Sequence, residues 1–385
     1  GGVAVQAKPK KMVTESLAKS LTKQGYKLVG SHSGVKLCRW TKAMLRGRGG
    51  CYKHTFYGIA SYQCMEATPS LACANKCVFC WRHHKNPVST SWRWETDDPR
   101  LLVDGFIANH RAMIREMRGL PGVIPSRLEE AQTVRHCALS LVGEPIIYPE
   151  INRFLDMLHG EGISSFLVSN AQFPEQMERL TPCTQLYVSI DASNPIELQA
   201  VDRPIFSDFW ERFLACIDLL ATKGQRTVFR LTLVKDFNMS QIEGYAALIR
   251  RGKPDFVEVK GVTFTGGKRP ELGMKNVPWH QEVLNFTQQI CDLVEGDYEV
   301  ASEHAHSCAV LMAHKKFKRG GDWYTHIDFD KFLELAKSGE EFGSEDYMSR
   351  TPHWAVLGKG IPGDGGFDPN ETHFRRGRRK EAVTE

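Results

Sequence analysis

At 385 residues the chain is long enough for one α/β barrel of about 250 residues with extensions, and its apolar runs fall well short of the roughly 20 residues that a membrane-spanning helix needs, so no candidate span is present. The net charge of +5 hides an asymmetry: residues 1–58 carry twelve Lys and Arg against the single acid Glu15, which leaves the rest of the chain net acidic and points to a polyanion held at one end. Eleven cysteines, an odd number with six of them clustered, point to a reducing compartment rather than a disulfide-stapled secreted fold, and the start at Gly1-Gly2 without a methionine is that of a processed or truncated piece of something longer.

Residues 1–30 are polar and Lys-rich, with a helix predicted at 15–24 and the rest loosely held. From 34 to 62, glycines and basic residues (LRGRGGCYKH) alternate with cysteines, which predicts loop or extended chain wrapped around a ligand. A first strand is predicted near 61–66. Short apolar runs at 137–142, 165–169, 186–190, 228–234 and 256–263 have the look of buried parallel strands. Helical periodicity falls between them, at 101–118, 151–160, 175–180, 209–223, 240–251 and 280–295. Strand and helix alternate, so βαβ units and a parallel sheet follow. A further strand near 298–302 brings the count to about seven, which fits a partial (β/α)6 TIM-like barrel better than a closed eight. The residues after 321, rich in Gly, Pro and charge, form an appendage that ends in the basic tail RRGRRK (375–380).

Cys73, Cys77 and Cys80 form Cys-x3-Cys-x2-Cys inside LACANKCVFCWR, on the loop after the first strand. Three thiolates can hold three irons of a cubane cluster and leave the fourth open, whereas a structural zinc site wants four closed ligands. With Phe79 immediately before the last cysteine, the motif resembles that of the radical S-adenosylmethionine superfamily. The resemblance implies a 4Fe-4S cluster whose open iron takes the methionine moiety of S-adenosylmethionine, and reductive cleavage to a hydrogen-abstracting 5′-deoxyadenosyl radical. Gly143-Glu144 follows the second strand as the superfamily's Gly-Gly-Glu does, with Val142 in place of the first glycine. Ser169 and Asn170 end the next strand. In the family such groups receive the cofactor's ammonium, carboxylate or ribose.

Cys38, Cys51 and Cys64 stand upstream at two equal steps of thirteen residues, and three further thiols so close to a first trio imply a second cluster. Together with Lys53, two residues after the middle cysteine, and the segment GMKNVPWHQEV (273–283), they make the chain resemble the tRNA 4-demethylwyosine synthase family from about residue 38 to about residue 353. That resemblance implies condensation of N1-methylguanosine at position 37 of tRNA(Phe) with pyruvate. Hydrogen is taken from the N1-methyl group, the carbon radical adds to the keto carbon, the carboxylate carbon is lost, and the third ring closes onto the guanine amine. Pyruvate is held either by the open iron of a second 4Fe-4S cluster or by a Schiff base on Lys53. The fold implied is a radical S-adenosylmethionine barrel with an N-terminal cluster-binding extension. Its expected division is a basic arm (1–33), a second-cluster loop and lead-in (34–70), the barrel core (71–321) and the C-terminal appendage (322–385). The implied electron donor is a flavodoxin-like FMN domain, external or removed, and the expected compartment is the cytosol, or an organelle that holds tRNA.

Arg39, Lys42, Arg46 and Arg48 share the loop of the second trio and are candidates for tRNA phosphates. Trp40, Tyr52, Trp81, Trp92 and Trp94 are available to stack on a flipped anticodon-loop base, although each taken singly fits core packing better. His304, His306 and Cys308 lie at spacing two with no fourth ligand, which suggests a polar patch at a strand end rather than a metal site. His83 and His84, just past the first trio, are placed to touch substrate or to face solvent. Two competing functions are a radical tRNA methylthiotransferase and, in another class, a non-catalytic zinc-containing RNA-binding protein.

Overall fold

The computed structural model describes residues 9–80, 86–264, 272–294 and 296–372. Six strands, β3 (Cys64–Thr68), β4 (His136–Leu139), β5 (Ser164–Ser169), β6 (Gln185–Ser189), β7 (Arg226–Leu233) and β8 (Phe256–Gly261), pair in sequence order and in parallel, which is the partial barrel the alternating pattern predicts. Helices α4 (Pro99–Arg115), α6 (Ile151–Gly160), α9 (Phe209–Leu220), α10 (Ile242–Gly252) and α11 (His280–Leu293) fill the connections, with the shorter α5 (Pro125–Glu130), α7 (Pro174–Glu178) and α8 (Pro195–Val201). Their starts follow from local chemistry. Asp98 caps α4 with Pro99 at its first turn, and Asn194 accepts from Glu197 N (2.9 Å) to open α8.

Two departures from the sequence reading concern the ends of the sheet. Residues 9–37 are not loosely held. Helix α1 (Glu15–Lys23) and strands β1 (Tyr26–Val29) and β2 (Ser33–Lys36) fold as one unit, and β2 pairs antiparallel to β3. The physical reason is burial: Leu17, Leu21, Tyr26 and Val35 carry the apolar face that the lysines obscure, and all four join the main core. At the other edge, the strand predicted near 298–302 is β9 (Tyr298–His304), but it does not extend the parallel set. It pairs antiparallel with β10 (Ala309–His314), which in turn runs antiparallel to β8. The four residues between β9 and β10 are too few for a parallel crossover, which takes a dozen or more.

Alternate residues along each strand separate two cores. Leu167, Leu186, Val188, Leu231 and Val259 face the helices. Phe166, Tyr187, Val228, Phe256 and Leu311 face inward, where they meet Tyr52, Phe56 and Tyr57 of α3 (Tyr52–Tyr57). Residues 34–62, predicted as loop, therefore hold two short helices, α2 (Arg39–Met44) and α3, and α3 packs against the interior face of the barrel wall. Chain beyond residue 321 is part of this inner core. Trp323, Ile327, Tyr347 and, from α12 (Phe329–Ser338), Phe332 close the floor, and Arg226 ties it down by donating to Gln185 Oε1 (3.0 Å) and the His326 carbonyl (3.2 Å). With the floor sealed, the carboxyl ends of β3 to β8 are left to carry chemistry.

Candidate active site

The first trio sits on irregular chain after β3. Cys73 exchanges backbone hydrogen bonds with the 87–89 segment (Cys73 N to Pro87 O, 3.2 Å; Ser89 N to Cys73 O, 3.0 Å), and the loop is pinned to the end of α8 by Val78 N to Val201 O (2.8 Å) and Lys76 N to Asp202 O (2.9 Å). Cys73 Sγ accepts from Asn75 N and Asn170 Nδ2, both at 3.4 Å. Burial pushes the Cys77 thiol well up, and the charges of Asp202, Cys80, Cys73 and Asp191 push it further. A buried thiol crowded by negative charge ionises most readily beside a cation, so the Cys77 position suits a thiolate bound to metal.

The second trio is presented by regular structure. Cys38 is the N-cap of α2, Cys51 the N-cap of α3, and Cys64 the first residue of β3. Each thirteen-residue step therefore runs from the start of one element to the start of another, a short 3-10 turn (Ser61–Gln63) lying between α3 and β3. Ser61 braces the middle position: its Oγ accepts from Cys51 N (3.1 Å) and faces Cys51 Sγ at 3.6 Å. Burial raises the Cys38 and Cys64 thiols, and the two are coupled through Cys51 and Glu66; Lys53 opposes the rise at Cys64. Among the described residues no three His, Cys, Asp or Glu side chains converge to hold one metal ion. In a cubane cluster every thiol meets a different iron, so three thiols need not converge on one ion.

Lys53 lies in the first turn of α3, only 8% exposed, with Nζ 5.6 Å from the centre of the Tyr187 ring on β6. The Glu66 carboxyl is raised by burial and lowered in turn by Lys53, Lys36, Arg230 and the neighbouring Cys38 thiol. One carboxylate thus links the second trio, the lysine and the barrel interior.

Where a strand end meets the first trio, Gly143 has φ +77°, and a Cβ there would stand 1.9 Å from the Ser70 carbonyl oxygen, so only glycine fits. Glu144 is 1% exposed. It accepts from Asn170 N (2.6 Å) and Ile146 N (3.4 Å), while its own N–H donates to Ala72 O (2.7 Å). Burial lifts its carboxyl to about 8 against those hydrogen bonds and one from Ser169. Gly143, Glu144, Ser169, Asn170 and Cys73 are thus brought together, with Glu144 bracing the trio's loop against β5. Phe79 is half-buried beside Cys80.

The basic candidates divide. Arg39 and Lys42 are exposed, Arg39 lying 4.7 Å over the Trp40 ring. Arg46 is spent on carbonyls, donating to Lys42 O (3.0 Å) and Pro121 O (3.2 Å), and Arg48 is half-buried. Of the aromatics, Tyr52 belongs to the inner core, and Trp92 and Trp94 pack edge to face, with Trp92 also against His32. These three are committed to packing because their apolar area is worth more buried than at a surface. Trp40 remains half-buried against the edges of the His304 and His306 rings. Trp81, His83, His84 and the 375–380 tail lie outside the described residues.

Sequence reasoning passed over the charged groups inside the barrel: Glu66, Arg230, Glu258, Lys260, Asp191 and Asp202. The signal was present, since Arg230 interrupts TVFRLTLV and Glu258 and Lys260 interrupt FVEVKGV, charges that a buried strand carries only with a purpose. Lys260 is lowered to about 8, first by burial and then by Arg230 and Arg39. Asp191, with Thr232 N donating at 2.8 Å, is raised to about 6 by burial.

Two family models match, radical SAM superfamily over residues 68–249 and wyosine base formation over residues 251–314. Among curated proteins, the S-adenosyl-L-methionine-dependent tRNA 4-demethylwyosine synthases of Homo sapiens and Arabidopsis thaliana are each 57% identical, covering 97% and 96% of this chain but 51% and 57% of their own length. That of Schizosaccharomyces pombe is 56% identical, with 94% and 53% covered. The chain spans about half the length of the curated relatives it matches. Among solved structures, TYW1 with a lysine-pyruvate adduct bound superimposes with TM-score 0.72 at 29% identity (80% of this chain, 99% of that one), and archaeal TYW1 with 0.66 at 27% (82% and 100%). Neither the methylthiotransferase nor the zinc-protein expectation finds support in these relatives. A parallel partial barrel, two thiol trios and these likenesses converge: the chain belongs to the tRNA 4-demethylwyosine synthase family of the radical S-adenosylmethionine superfamily.

Proposed function

We propose that this chain condenses N1-methylguanosine at position 37 of tRNA(Phe) with pyruvate to give the tricyclic 4-demethylwyosine, using two 4Fe-4S clusters and S-adenosylmethionine. The observation that carries the reading is Lys53, buried at the second trio with its amine turned over Tyr187, in a family that includes a structure with a lysine-pyruvate adduct. Cys73, Cys77 and Cys80 fit one cluster and Cys38, Cys51 and Cys64 the other; bound there, the first supplies one-electron cleavage of S-adenosylmethionine. A flavodoxin-like FMN partner, on the same polypeptide or a separate one, is the electron donor in this scheme.

The chain's own residues have definable tasks. Lys53 Nζ attacks the keto carbon, a C=N bond forms, and the keto oxygen leaves as water, so pyruvate is fixed before the base arrives. Glu66, held between Lys53 and Cys38, is placed to take and return the protons of that exchange. Gly143, Glu144, Ser169 and Asn170 shape the edge where the nucleoside cofactor lies, Phe79 walls it, and Glu144 sets the spacing of the edge from Cys73. Arg39 and Lys42, exposed on α2 next to Cys38, meet phosphates of the anticodon loop, with the half-buried Arg48 as a further contact.

The test is direct. Protein reconstituted anaerobically, given N1-methylguanosine-containing tRNA, pyruvate, S-adenosylmethionine and a low-potential reductant, is expected to yield the tricyclic nucleoside by mass spectrometry of digested tRNA. Methylthiolated product, or no dependence on pyruvate, would overturn the proposal.

A further inference from the structure

We propose that Arg230 grips the carboxylate of the 2-oxo acid whose keto carbon meets Lys53, an assignment that rests on the Schiff-base reading above. Arg230 is midway along β7, in register with Ser189 of β6 on one side and Glu258 of β8 on the other. Val228 belongs to the inner core, so Arg230, two residues on, shares its inward face. Tyr187, two residues before Ser189, carries the ring over which Lys53 Nζ stands at 5.6 Å. Both cations act on the Glu66 carboxyl, and Arg230 acts also on the hydroxyls of Tyr52 and Tyr187. The guanidinium and the amine therefore front the same interior space.

A charge placed inside a barrel is costly unless it is paired and hydrogen-bonded. Arg226, four residues earlier on the same strand, shows how this fold meets that cost: it is fully buried and donates to Gln185 Oε1, Thr325 O and His326 O. Arg230 is treated differently. Its guanidinium makes neither a hydrogen bond nor an ion pair with any described residue. The acid beside it, Glu258, turns Oε1 to the Tyr57 hydroxyl (2.7 Å) and leaves Oε2 buried without a partner, so the nearest carboxylate does not close on the arginine. Arg230 is half-buried rather than sealed, on the inward face of β7 that it shares with Val228. A planar fork of N–H donors matches a carboxylate, and in a 2-oxo acid that carboxylate is one bond from the keto carbon. An amine and a guanidinium fronting one space are the pair such a molecule needs.

The test traps the Lys53 imine with borohydride at graded pyruvate concentrations, in the reconstituted chain, and quantifies the labelled peptide by mass spectrometry. Arg230→Met is expected to raise the half-trapping pyruvate concentration about 10- to 100-fold, and Arg230→Lys by less. Trapping by hydroxyacetone, which carries a hydroxymethyl group in place of the carboxylate, should stay within about twofold of the unsubstituted chain. Iron content and thermal midpoint report folding, and Arg230→Gln replaces Arg230→Met if the latter does not fold. Unchanged pyruvate trapping, or equal loss with both ketones, would overturn the assignment. So would a raised requirement for S-adenosylmethionine in its reductive cleavage with pyruvate trapping intact, because the guanidinium would then serve that carboxylate. If unsubstituted Lys53 takes no label from pyruvate, the Schiff-base reading itself fails and this proposal with it.

Discussion

The two cysteine trios are presented by opposite kinds of backbone. Cys73, Cys77 and Cys80 occupy eight residues of irregular chain held by bonds to neighbouring loops, whereas Cys38, Cys51 and Cys64 open α2, α3 and β3 and are as fixed as those elements. The difference suits their proposed tasks. A site that must admit and release a cofactor lies at a strand end bordered by adjustable loops, while a site that holds a small substrate against Lys53 gains from rigid walls.

Removing one trio at a time breaks the comparison most completely. Cys77→Ala is expected to lose about four of about eight irons and all reductive cleavage of S-adenosylmethionine. Cys51→Ala should lose the other four while cleavage continues uncoupled, with no tricyclic product. Iron assay and measurement of 5′-deoxyadenosine decide it; equal loss of cleavage in both variants would mean that the trios are not functionally separable. Lys53→Ala belongs with the second pattern, with product formation down more than about a thousandfold and cleavage retained.

Gly143→Ala comes next in size, because it strikes the loop-borne trio without touching a thiol. At φ +77° an added Cβ would meet the Ser70 carbonyl at 1.9 Å, so the loop that leads to Cys73 must shift. A cost of about 2–4 kcal/mol is expected, read as a lower thermal midpoint, with iron lost from the first trio in preference to the second. Equal iron loss from both would show that the loop is no more deformable than the helices.

The contrast in backbone also explains what could be read from sequence. The first trio is contiguous, so its spacing alone announces it. The second was legible as an equal step of thirteen, but the step's cause was not, because two six-residue helices in a glycine-rich stretch fall below the length at which periodicity shows. The six parallel strands were visible as apolar runs. β10 was not, since His304, His306 and Cys308 drew attention to polar chemistry just before AVLMAH, an apolar run that pairs with β8. Arg230, Glu258 and Lys260 were hidden by their apolar neighbours: a strand recognised by its majority conceals the charges that face the barrel interior. The aromatic candidates went the way that residue type favours: Trp94 is buried in the main core and Trp92 packs against it, the core role that each aromatic taken singly fits better than base stacking.

Each trio has a buried carboxyl beside it, Glu144 for the first and Glu66 for the second, and the strong bond that Glu144 accepts, from Asn170 N (2.6 Å), can also be accepted by a glutamine carbonyl, the longer one from Ile146 N (3.4 Å) being given up. The Glu144 carboxyl is raised to about 8, so between the unfolded value near 4.5 and about 8 the folded chain binds the extra proton. That contribution is fully present below about pH 4.5 and is lost as pH rises through about 8. Glu144→Gln should flatten the decline in thermal midpoint across that window, leaving the chain relatively more stable at pH 8. A slope unchanged by the substitution would place its origin elsewhere.

The smallest expected effect distinguishes cations that share one loop. If the second trio lies on the substrate side of the molecule, the exposed Arg39 and Lys42 beside it should contribute to tRNA binding, and Arg46 should not, because its donors are occupied by Lys42 O and Pro121 O. Arg39→Gln is expected to weaken tRNA binding a few-fold and to lower the steepness of its salt dependence by about one counterion, with folding unaffected. Arg46→Gln should do the converse, lowering the thermal midpoint by the loss of two hydrogen bonds, about 1–2 kcal/mol, at unchanged salt dependence. Binding titrations at several salt concentrations separate the two. Should both variants alter the salt slope alike, the phosphate-facing surface extends past α2 to the 121 turn, and the rigid trio would lie beneath a broader basic face than its two exposed cations define.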